Sequence, residues 1–170
     1  MIAAPMPDAP ELSIVVPVYN EEQVLPELLA RSFAALDALG RSYELIFVDD
    51  GSSDRTVEVL EGAIAEGRSL EVVKLTRNFG LQAAVTAGLA HAKGEIIGLM
   101  DGDLQDPPEL FGEMLERLES GHDAVYMLKR SREESSLSRR VGFRLFYWIF
   151  QRLSHTPLPP SAGLFSLMRR

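Results

Sequence analysis

The chain of 170 residues contains no cysteine, and its three histidines are scattered without a second metal-ligating partner nearby. The first absence excludes a disulfide framework and a thiolate metal site, and the scatter of the histidines argues against an imidazole metal centre. No stretch approaches the roughly 20 apolar residues that a membrane-spanning helix needs. Residues 1–11 lack the basic and apolar regions of a secretion signal, so we expect a flexible N-terminus on a cytoplasmic protein.

Acidic and basic residues are unevenly distributed, although the net charge of the whole chain is −8. Residues 1–128 contain 8 Lys and Arg against 23 Asp and Glu, whereas residues 129–152 contain 7 basic residues against 2 acidic ones. The acidic first part argues against a nucleic-acid partner, because it would repel a phosphate backbone. Since 46% of the residues are hydrophobic, residues 12–170 are sufficient for a single domain with its own core.

Compact apolar runs alternate with amphipathic segments along most of the chain. The runs predict strands at residues 12–18, 43–48, 70–75, 95–100 and 124–128, and the segments predict helices at about 24–39, 55–66, 82–91, 107–118 and 137–153. This alternation predicts an α/β fold with a Rossmann-like, mostly parallel sheet and helices on both faces. In such sheets ligands bind outside the carboxyl ends of the strands.

The most informative of these strand ends carries Asp101 and Asp103, one residue apart, followed by Gln105. Acidic side chains at the end of a buried strand are costly unless a cation compensates them. Alternate residues of an extended backbone point the same way, so both carboxylates can approach one divalent ion. Oxygen ligands in this number suit Mg²⁺ or Mn²⁺ carrying a diphosphate. The pattern therefore indicates nucleotide-sugar chemistry.

Each of these features also has an ordinary structural explanation. An Asp-Gly-Asp sequence after a strand is common in turns and could cap the following helix. The neighbouring acidic strand end at Asp49 and Asp50 favours the ligand-binding interpretation instead. For Asn20 we expect a helix N-cap, and for Arg77 a structural role and substrate binding carry equal weight.

Four segments occur in a familiar order, and together they resemble the signature of glycosyltransferase family 2. The resemblance is closest to its polyprenyl-phosphate branch, which includes dolichyl-phosphate mannosyltransferases and bactoprenyl glucosyltransferases, and it extends from about Leu12 to the C-terminus. The segments that carry it are Val15–Glu22, Val48–Asp54, Arg77–Gly80 and Asp101–Glu109. This resemblance implies a GT-A type nucleotide-diphospho-sugar transferase fold.

The resemblance also implies roles for individual residues of the site. The end of the first strand would line the base and ribose, Asp49 or Asp50 would accept a hydrogen bond from the base, and the metal would bridge the diphosphate. The implied nucleotide-binding residues are Pro17, Tyr19, Glu21, Asp49, Asp50, Asp101 and Gly102. The implied metal ligands are Asp101, Asp103 and Gln105, and the implied catalytic residues are Asp101, Asp103 and Asp106.

Basic residues are implied to hold the phosphates of the donor or the acceptor. Where the family usually has Gly-x-Arg after the fifth strand, this chain has Met127-Leu128-Lys129. Residues 129–156 are both basic and aromatic, which favours a helix at the membrane interface that serves a lipid-linked acceptor; the alternative is burial against a second subunit or a further part of the chain. The candidate phosphate-binding residues are Arg77, Lys129, Arg130, Arg132, Arg139 and Arg140.

The activity implied by the resemblance is inverting, metal-dependent transfer of a hexose from a UDP- or GDP-sugar to a polyprenyl phosphate. Such an enzyme would work at the inner face of the cytoplasmic membrane, and a homo-oligomer is possible. A phosphate acceptor is already an anion at neutral pH, so no strong general base is required. If the acceptor were a saccharide hydroxyl, as in cell-wall or polysaccharide synthesis, Asp106 would be the available base.

One departure from the family pattern leaves a further alternative open. Where the family has an acid and an arginine near residue 165, this chain has Leu164 and Ser166. We therefore also consider a truncated or degenerate family member, with its C-terminal part missing, that binds a nucleotide without transferring a sugar.

Overall fold

The structure is a computed structural model that describes residues 10–128 and 162–170. Six strands and four α-helices lie within these residues, with a short 3₁₀ helix at Pro108–Leu110 before the last α-helix, and they follow the alternation that the sequence predicts. In chain order they are β1 (Leu12–Val18), α1 (Leu25–Ala38), β2 (Tyr43–Asp49), α2 (Thr56–Ala65), β3 (Glu71–Lys74), α3 (Leu81–His91), β4 (Ile96–Leu99), α4 (Phe111–Glu119), β5 (Ala124–Leu128) and β6 (Ala162–Arg169). The helix predicted at 137–153 lies outside the described residues.

The chain divides into two compact units. The first consists of Met1–Val125 together with Leu164–Arg170, and it contains the four helices and most of the sheet. The second consists of Tyr126–Gly163, of which the structure describes only the end of β5 and the start of β6. The acids that follow β2 and β4 belong to the first unit.

The sheet has the strand order β3-β2-β1-β4-β6-β5. Strand β1 pairs in parallel with both β2 and β4, and β2 pairs in parallel with β3. The mostly parallel sheet that the sequence predicts is therefore confirmed. The register aligns Val18 with Asp49 and Asp49 with Lys74, so the carboxyl ends of three neighbouring strands lie at one edge.

Strand β6 was not predicted from the sequence. It runs antiparallel to β4 and is inserted between β4 and β5, with Leu99 opposite Ser166. Phe165 and Leu167 are buried, whereas Leu164 is partly buried and packs against the core on the other face of the sheet. The two positions that depart from the family pattern, Leu164 and Ser166, are therefore both residues of a sheet strand.

Helices cover both faces of the sheet, as the sequence predicts. On one face α3 packs so closely on β1 that a Cβ added at Gly88 would lie 2.2 Å from Cγ1 of Val15. On the other face, Gly98 leaves room for Phe111, the first residue of α4. The ring of Phe111 meets that of Phe165 edge-on, with centroids 5.0 Å apart, which joins α4 to β6.

A cluster of hydrogen-bonded polar groups lies at the edge of the sheet where β1 and β2 begin. The buried Glu44 carboxylate accepts hydrogen bonds through Oε1 from the Ser13 hydroxyl at 2.5 Å and from the backbone N–H of Lys93 at 2.6 Å. The Ser13 hydroxyl in turn accepts from the N–H of Gly94 at 2.7 Å. These bonds hold the turn between α3 and β4 against β1 and β2, so the cluster fixes the position of β4.

Within residues 10–128 and 162–170, no helix combines the length and hydropathy needed to cross a bilayer.

Replacing Glu44 by alanine is expected to destabilise the fold by about 1–3 kcal/mol, because the Ser13 hydroxyl loses its buried acceptor and the Lys93 N–H keeps only its longer bond to Ser13 Oγ, at 3.1 Å. The free energy of unfolding from urea titrations measures this effect. The matched control is Glu116→Ala on the exposed face of α4, which should change stability by less than about 0.5 kcal/mol. Equal stability of the two variants would contradict the structural role of Glu44.

Candidate active site

Four loops follow strand ends at the carboxyl edge of the sheet, and together they contain the described candidate residues except Pro17 and Asp49, which lie at the ends of β1 and β2 themselves. The loop after β1 starts at Tyr19, the loop after β2 at Asp50, the loop after β3 at Leu75 and the loop after β4 at Met100. Because their strands are neighbours and parallel, these loops lie side by side. The sequence prediction of one site along one edge is therefore consistent with the observed topology.

Gly102 brings the acidic loop after β4 against the end of β1. A Cβ at this position would lie 2.7 Å from Cγ1 of Val18 and 2.9 Å from the carbonyl oxygen of Pro17, so only glycine permits the contact. Leu104 completes the bend with a φ of 60°, in the left-handed region. The loop therefore has one tight packing position, with a carboxylate residue on either side of it.

The carboxylates of this loop differ in exposure. Asp103 is exposed and accepts a hydrogen bond through Oδ1 from the backbone N–H of Gln105 at 3.0 Å, while Asp101 is partly buried. Asp106 is only 3% exposed, and its Oδ2 lies 3.4 Å from the backbone nitrogen of Asp101, which donates to it. Because Asp106 is buried and bonded to the backbone of Asp101, it is better suited to hold the loop in place than to act as an accessible general base.

Glu21 connects the loop after β1 to this acidic region. It is partly buried, and its backbone N–H donates to the Thr56 hydroxyl at 2.8 Å. Burial, followed by the negative charges of Asp103 and Asp54, raises the pKa of Glu21 above its ordinary value. The loop after β1 therefore carries a carboxyl group that lies within reach of the charge of Asp103.

The residues present fit a divalent cation bound together with a ligand. Asp101, Asp103 and Gln105 offer hard oxygen donors, which Mg²⁺ and Mn²⁺ prefer. Among the described residues, no three His, Cys, Asp or Glu side chains converge into a preformed metal cage. An ion here would therefore complete its coordination with ligand oxygens and water, as Mg²⁺ does in phosphate-binding sites.

The two acids at the end of β2 are both buried and have different partners. Asp49 is 3% exposed and accepts one backbone N–H, that of Ser52, at 3.2 Å to Oδ1 and 3.3 Å to Oδ2. Asp50 is 4% exposed and accepts two N–H groups, that of Phe79 on Oδ1 and that of Gly80 on Oδ2, both at 2.8 Å. Adjacent carboxylates thus brace two different loops.

The expected N-cap role of Asn20 is wrong. The N-cap of α1 is Val24, without a side-chain hydrogen bond, whereas Asn20 has a φ of 56° and faces the loop after β2. Its backbone N–H donates to the Ser52 hydroxyl at 2.9 Å, and its Oδ1 accepts from the N–H of Ser53 at 2.8 Å. The turn at Asn20 therefore joins two loops of the site, because its left-handed backbone directs the side chain away from the helix.

Two exposed aromatic residues and one arginine lie in these loops. Tyr19 is 45% exposed and Phe79 is 51% exposed. The guanidinium carbon of Arg77 lies 4.6 Å from the centre of the Phe79 ring, a cation–π contact. Sequence reasoning named Tyr19 and Arg77 but missed Phe79, although an aromatic residue between polar loop positions was a visible signal.

Five of the candidate residues have no described position, so the structure does not test whether they belong to this site. They are the basic residues proposed for phosphate binding in the segment after β5, and they lie outside the described residues. These residues are Lys129, Arg130, Arg132, Arg139 and Arg140.

Comparison with known sequences identifies a family and several relatives. The profile described as glycosyl transferase family 2 matches residues 13–170. An uncharacterized glycosyltransferase of Synechocystis is 41% identical over 160 residues, which cover 94% of this chain and 50% of that protein. An undecaprenyl-phosphate 4-deoxy-4-formamido-L-arabinose transferase of Shewanella sediminis is 46% identical over 129 residues, covering 75% of this chain and 39% of that protein. The chain thus spans about half the length of the curated relatives that it matches, or less.

Solved structures show the same fold. The mannosyltransferase PcManGT from Pyrobaculum calidifontis, in complex with GDP-Man and Mn²⁺, superposes with a TM-score of 0.67 at 24% identity, covering 99% of this chain and 47% of that one. Glucosyl-3-phosphoglycerate synthase from Mycobacterium tuberculosis, in complex with UDP, gives a TM-score of 0.64 at 25% identity, covering 94% and 57%. The expected GT-A type fold is therefore confirmed.

If UDP or GDP binds at this edge together with a divalent ion, the Gly102→Ala variant is expected to weaken that binding by about 10-fold or more, because the new Cβ displaces the acidic loop from the end of β1 at a cost of about 1–3 kcal/mol. Isothermal titration with Mn²⁺ present measures the affinity. The matched control is Gly62→Ala in α2, where a Cβ meets nothing within 4 Å. If Gly102→Ala bound the nucleotide as tightly as the Gly62 variant, the packing argument would be wrong.

Proposed function

Because the chain belongs to glycosyltransferase family 2, we propose that it forms the donor-binding part of an inverting, metal-dependent glycosyltransferase that moves a hexose from a UDP- or GDP-sugar to a polyprenyl phosphate. The observation that carries this proposal is the acidic loop Asp101–Asp106, packed by Gly102 against the end of β1. It offers an exposed carboxylate beside the strand ends where ligands of parallel sheets bind.

A nucleoside diphosphate fits the extent of this edge. Neighbouring strands are about 4.8 Å apart, so the loops after β4, β1, β2 and β3 span a distance suited to an extended diphosphate and its base. The M. tuberculosis synthase is complexed with UDP and PcManGT with GDP-Man and Mn²⁺, which supports this class of donor. We propose that Tyr19 contacts the base and that Asp49 or Asp50 accepts a hydrogen bond from it.

Asp101, Asp103 and Gln105 would hold the divalent ion, and the bound ion would supply Lewis-acid stabilisation of the negative charge that develops on the leaving diphosphate. Asp106 holds the backbone of Asp101 from behind, and Gly102 keeps the loop at the end of β1. These two residues set the position of the carboxylates, while the exposure of Asp103 leaves it accessible to the donor.

Chemistry and the names of the relatives support the acceptor class that we propose. Relatives 43% to 46% identical to this chain are named undecaprenyl-phosphate 4-deoxy-4-formamido-L-arabinose transferases, which supports a polyprenyl phosphate acceptor. The second pKa of a phosphate monoester is about 6, so the attacking oxygen is already an anion at neutral pH. A single displacement by this oxygen inverts the anomeric centre without a strong general base, and the burial of Asp106 agrees with such a mechanism.

The acceptor phosphate requires cations, and its polyprenyl chain requires an apolar surface. We propose that Arg77 contacts a phosphate at this edge and that the basic, aromatic segment 129–156 contacts the acceptor at the cytoplasmic face of the membrane. The further candidates within that segment are Lys129, Arg130, Arg132, Arg139 and Arg140.

Transfer of labelled sugar to a polyprenyl phosphate tests the function. With UDP-glucose or GDP-mannose and Mn²⁺, product should form in the wild type, and Asp103→Ala should reduce its rate by about 100-fold or more through loss of charge stabilisation. The matched control is Asp123→Ala, an exposed acid before β5 whose backbone oxygen accepts from Arg169, at the opposite edge of the sheet.

Three outcomes would contradict the proposal in different ways. Metal-dependent nucleotide binding without transfer from UDP-glucose or GDP-mannose would contradict transfer of these two hexoses. Transfer to a saccharide hydroxyl in place of the lipid phosphate would change the acceptor class. Equal activity of the Asp103 and Asp123 variants would mean that the acidic loop is not the catalytic site.

A further inference from the structure

We propose that Asp54 is a positioning residue: it binds the backbone of the loop after β1, and so holds the segment that carries Tyr19 and Glu21 in place for a nucleotide without contacting the nucleotide itself. Asp54 lies in the loop after β2, five residues beyond the end of that strand. This inference rests on the proposed function, because it assumes that a nucleoside diphosphate binds beside Tyr19.

Three successive backbone N–H groups of the loop after β1 have their partners in another loop. The left-handed turn at Asn20 takes residues 20–22 out of β1, and α1 begins only at Leu25. The N–H groups of these three residues donate to side chains, and not to the ladder of a sheet or a helix. Because an unpaired N–H group is costly when it is buried, this loop depends on acceptors supplied from elsewhere.

The acceptors come from the loop after β2 and from the first residue of α2. The hydroxyls of Ser52 and Thr56 accept the first two bonds, at 2.9 and 2.8 Å. Oδ2 of Asp54 accepts the third, from the N–H of Glu22, at 3.1 Å. This third bond ends on a carboxylate, and such charge-assisted bonds are stronger than bonds between neutral groups.

The loop after β1 binds the loop after β2 in return. The N–H of Ser53 donates to Oδ1 of Asn20 at 2.8 Å, and the N–H of Arg55 donates to Oε2 of Glu22 at 3.0 Å. The guanidinium of Arg55 also donates to Oε2 of Glu22, from Nε at 3.2 Å. The backbone of each loop is therefore held by side chains of the other, so neither loop can shift alone.

Asp54 joins this network to the start of α2. Its Oδ1 accepts the N–H of Thr56 at 3.0 Å, while its Oδ2 accepts that of Glu22. Burial alone would raise the pKa of Asp54, but hydrogen bonds from Thr56 and from the backbone of Glu22 bring it below its ordinary value. Because both oxygens already bind groups of the protein, Asp54 is suited to hold the loop and not to contact a ligand.

Thr56 extends the hold of Asp54 to Glu21. The side chain of Thr56 is fully buried, and its hydroxyl accepts the N–H of Glu21 while it also hydrogen-bonds to Asp54. An ionised carboxylate can only accept, so the hydroxyl proton is directed at Asp54 and a lone pair at Glu21. Asp54 therefore fixes the backbone of Glu22 directly and that of Glu21 through Thr56.

The network holds backbone and leaves the ring of Tyr19 available to a ligand. Tyr19 immediately precedes the three bound residues, and its side chain is exposed. A loop that is already held in its bound arrangement loses less conformational entropy when a ligand binds. We therefore expect the network to increase nucleotide affinity without adding a contact to the nucleotide.

The Asp54→Ala variant tests the proposal with two independent readouts. The Glu22 N–H then loses its acceptor, so its hydrogen exchange should become at least about 10-fold faster. Affinity for UDP or GDP in the presence of Mn²⁺, measured by isothermal titration on the folded variant, should fall by about 10-fold. The matched control is Glu58→Ala, which removes an exposed acid from the first turn of the same helix and should change neither measurement.

Two substitutions at Thr56 keep the test decisive if Asp54→Ala does not fold. Thr56→Val removes the hydroxyl, so exchange at the Glu21 amide should become faster and nucleotide binding should weaken. Thr56→Ser keeps the hydroxyl and should bind the nucleotide as the wild type does. A residue that only stabilised the fold would change resistance to urea without separating the affinities of these two variants.

A double-mutant cycle with Tyr19→Ala shows whether Asp54 acts through the loop after β1. If it does, Asp54→Ala should cost less affinity in the Tyr19→Ala background than in the wild type, because part of what it positions is already absent.

Additive losses in the cycle, or unchanged exchange at residue 22 in Asp54→Ala, would overturn the positioning role. Faster exchange with unchanged affinity would overturn it as well, and so would an equal loss of affinity in Glu58→Ala. The proposed function fails separately, when the wild type binds nucleotide and obeys the cycle but transfers no sugar. A wild type that binds neither nucleotide overturns both.

Discussion

The compensation of negative charge at the carboxyl edge of the sheet is the constraint on which the rest of the structure depends. Buried carboxylates are costly without hydrogen bonds, and at this edge backbone N–H groups donate to Asp49, Asp50 and Asp106. Each of these bonds fixes a loop, so the acids organise the edge while they are themselves stabilised. Asp103 differs because it is exposed and because its charge contributes to the raised pKa of Glu21. A divalent cation would neutralise the remaining negative potential, and only then could a negatively charged diphosphate bind beside these acids.

The sheet places these loops by register and by close contacts at glycine. The pairing of β1 with β2 and β4 brings their loops together, and Gly51 and Gly102 allow neighbouring backbones to approach within distances that a Cβ would forbid. The departures from the family pattern at Leu164 and Ser166 lie in β6, which pairs with β4. Leu164 packs partly buried against the core, so this substitution has a packing role in the strand that supports the acidic loop.

The order of elements was predictable because buried parallel strands are continuous apolar runs and their helices end at glycines. The same reasoning predicts where the candidate site lies, since acids such as Asp101 and Asp103 after a buried strand require a ligand or a cation. Strand β6 was not predicted because its antiparallel partner β4 lies more than 60 residues earlier in the chain. The apolar residues of β6 do not by themselves indicate such a distant pairing. The hydrogen bonds that Asp50 and Asp54 accept were not visible either, because they come from backbone N–H groups, which every residue except proline carries. The prediction that Asn20 caps the first helix was wrong, because the left-handed turn brings its side chain to the loop after β2.

The central claim is that the acidic loop after β4 holds a divalent cation together with a nucleoside diphosphate. Paramagnetic broadening by Mn²⁺ in the presence of UDP or GDP tests it most directly, because the broadening reports which backbone amides lie near the ion. We expect the amides of residues 101–105 and of Glu21 to broaden first, with Asp123 unaffected. Broadening that begins at another acidic region, or that spreads evenly over the exposed acids, would contradict the account.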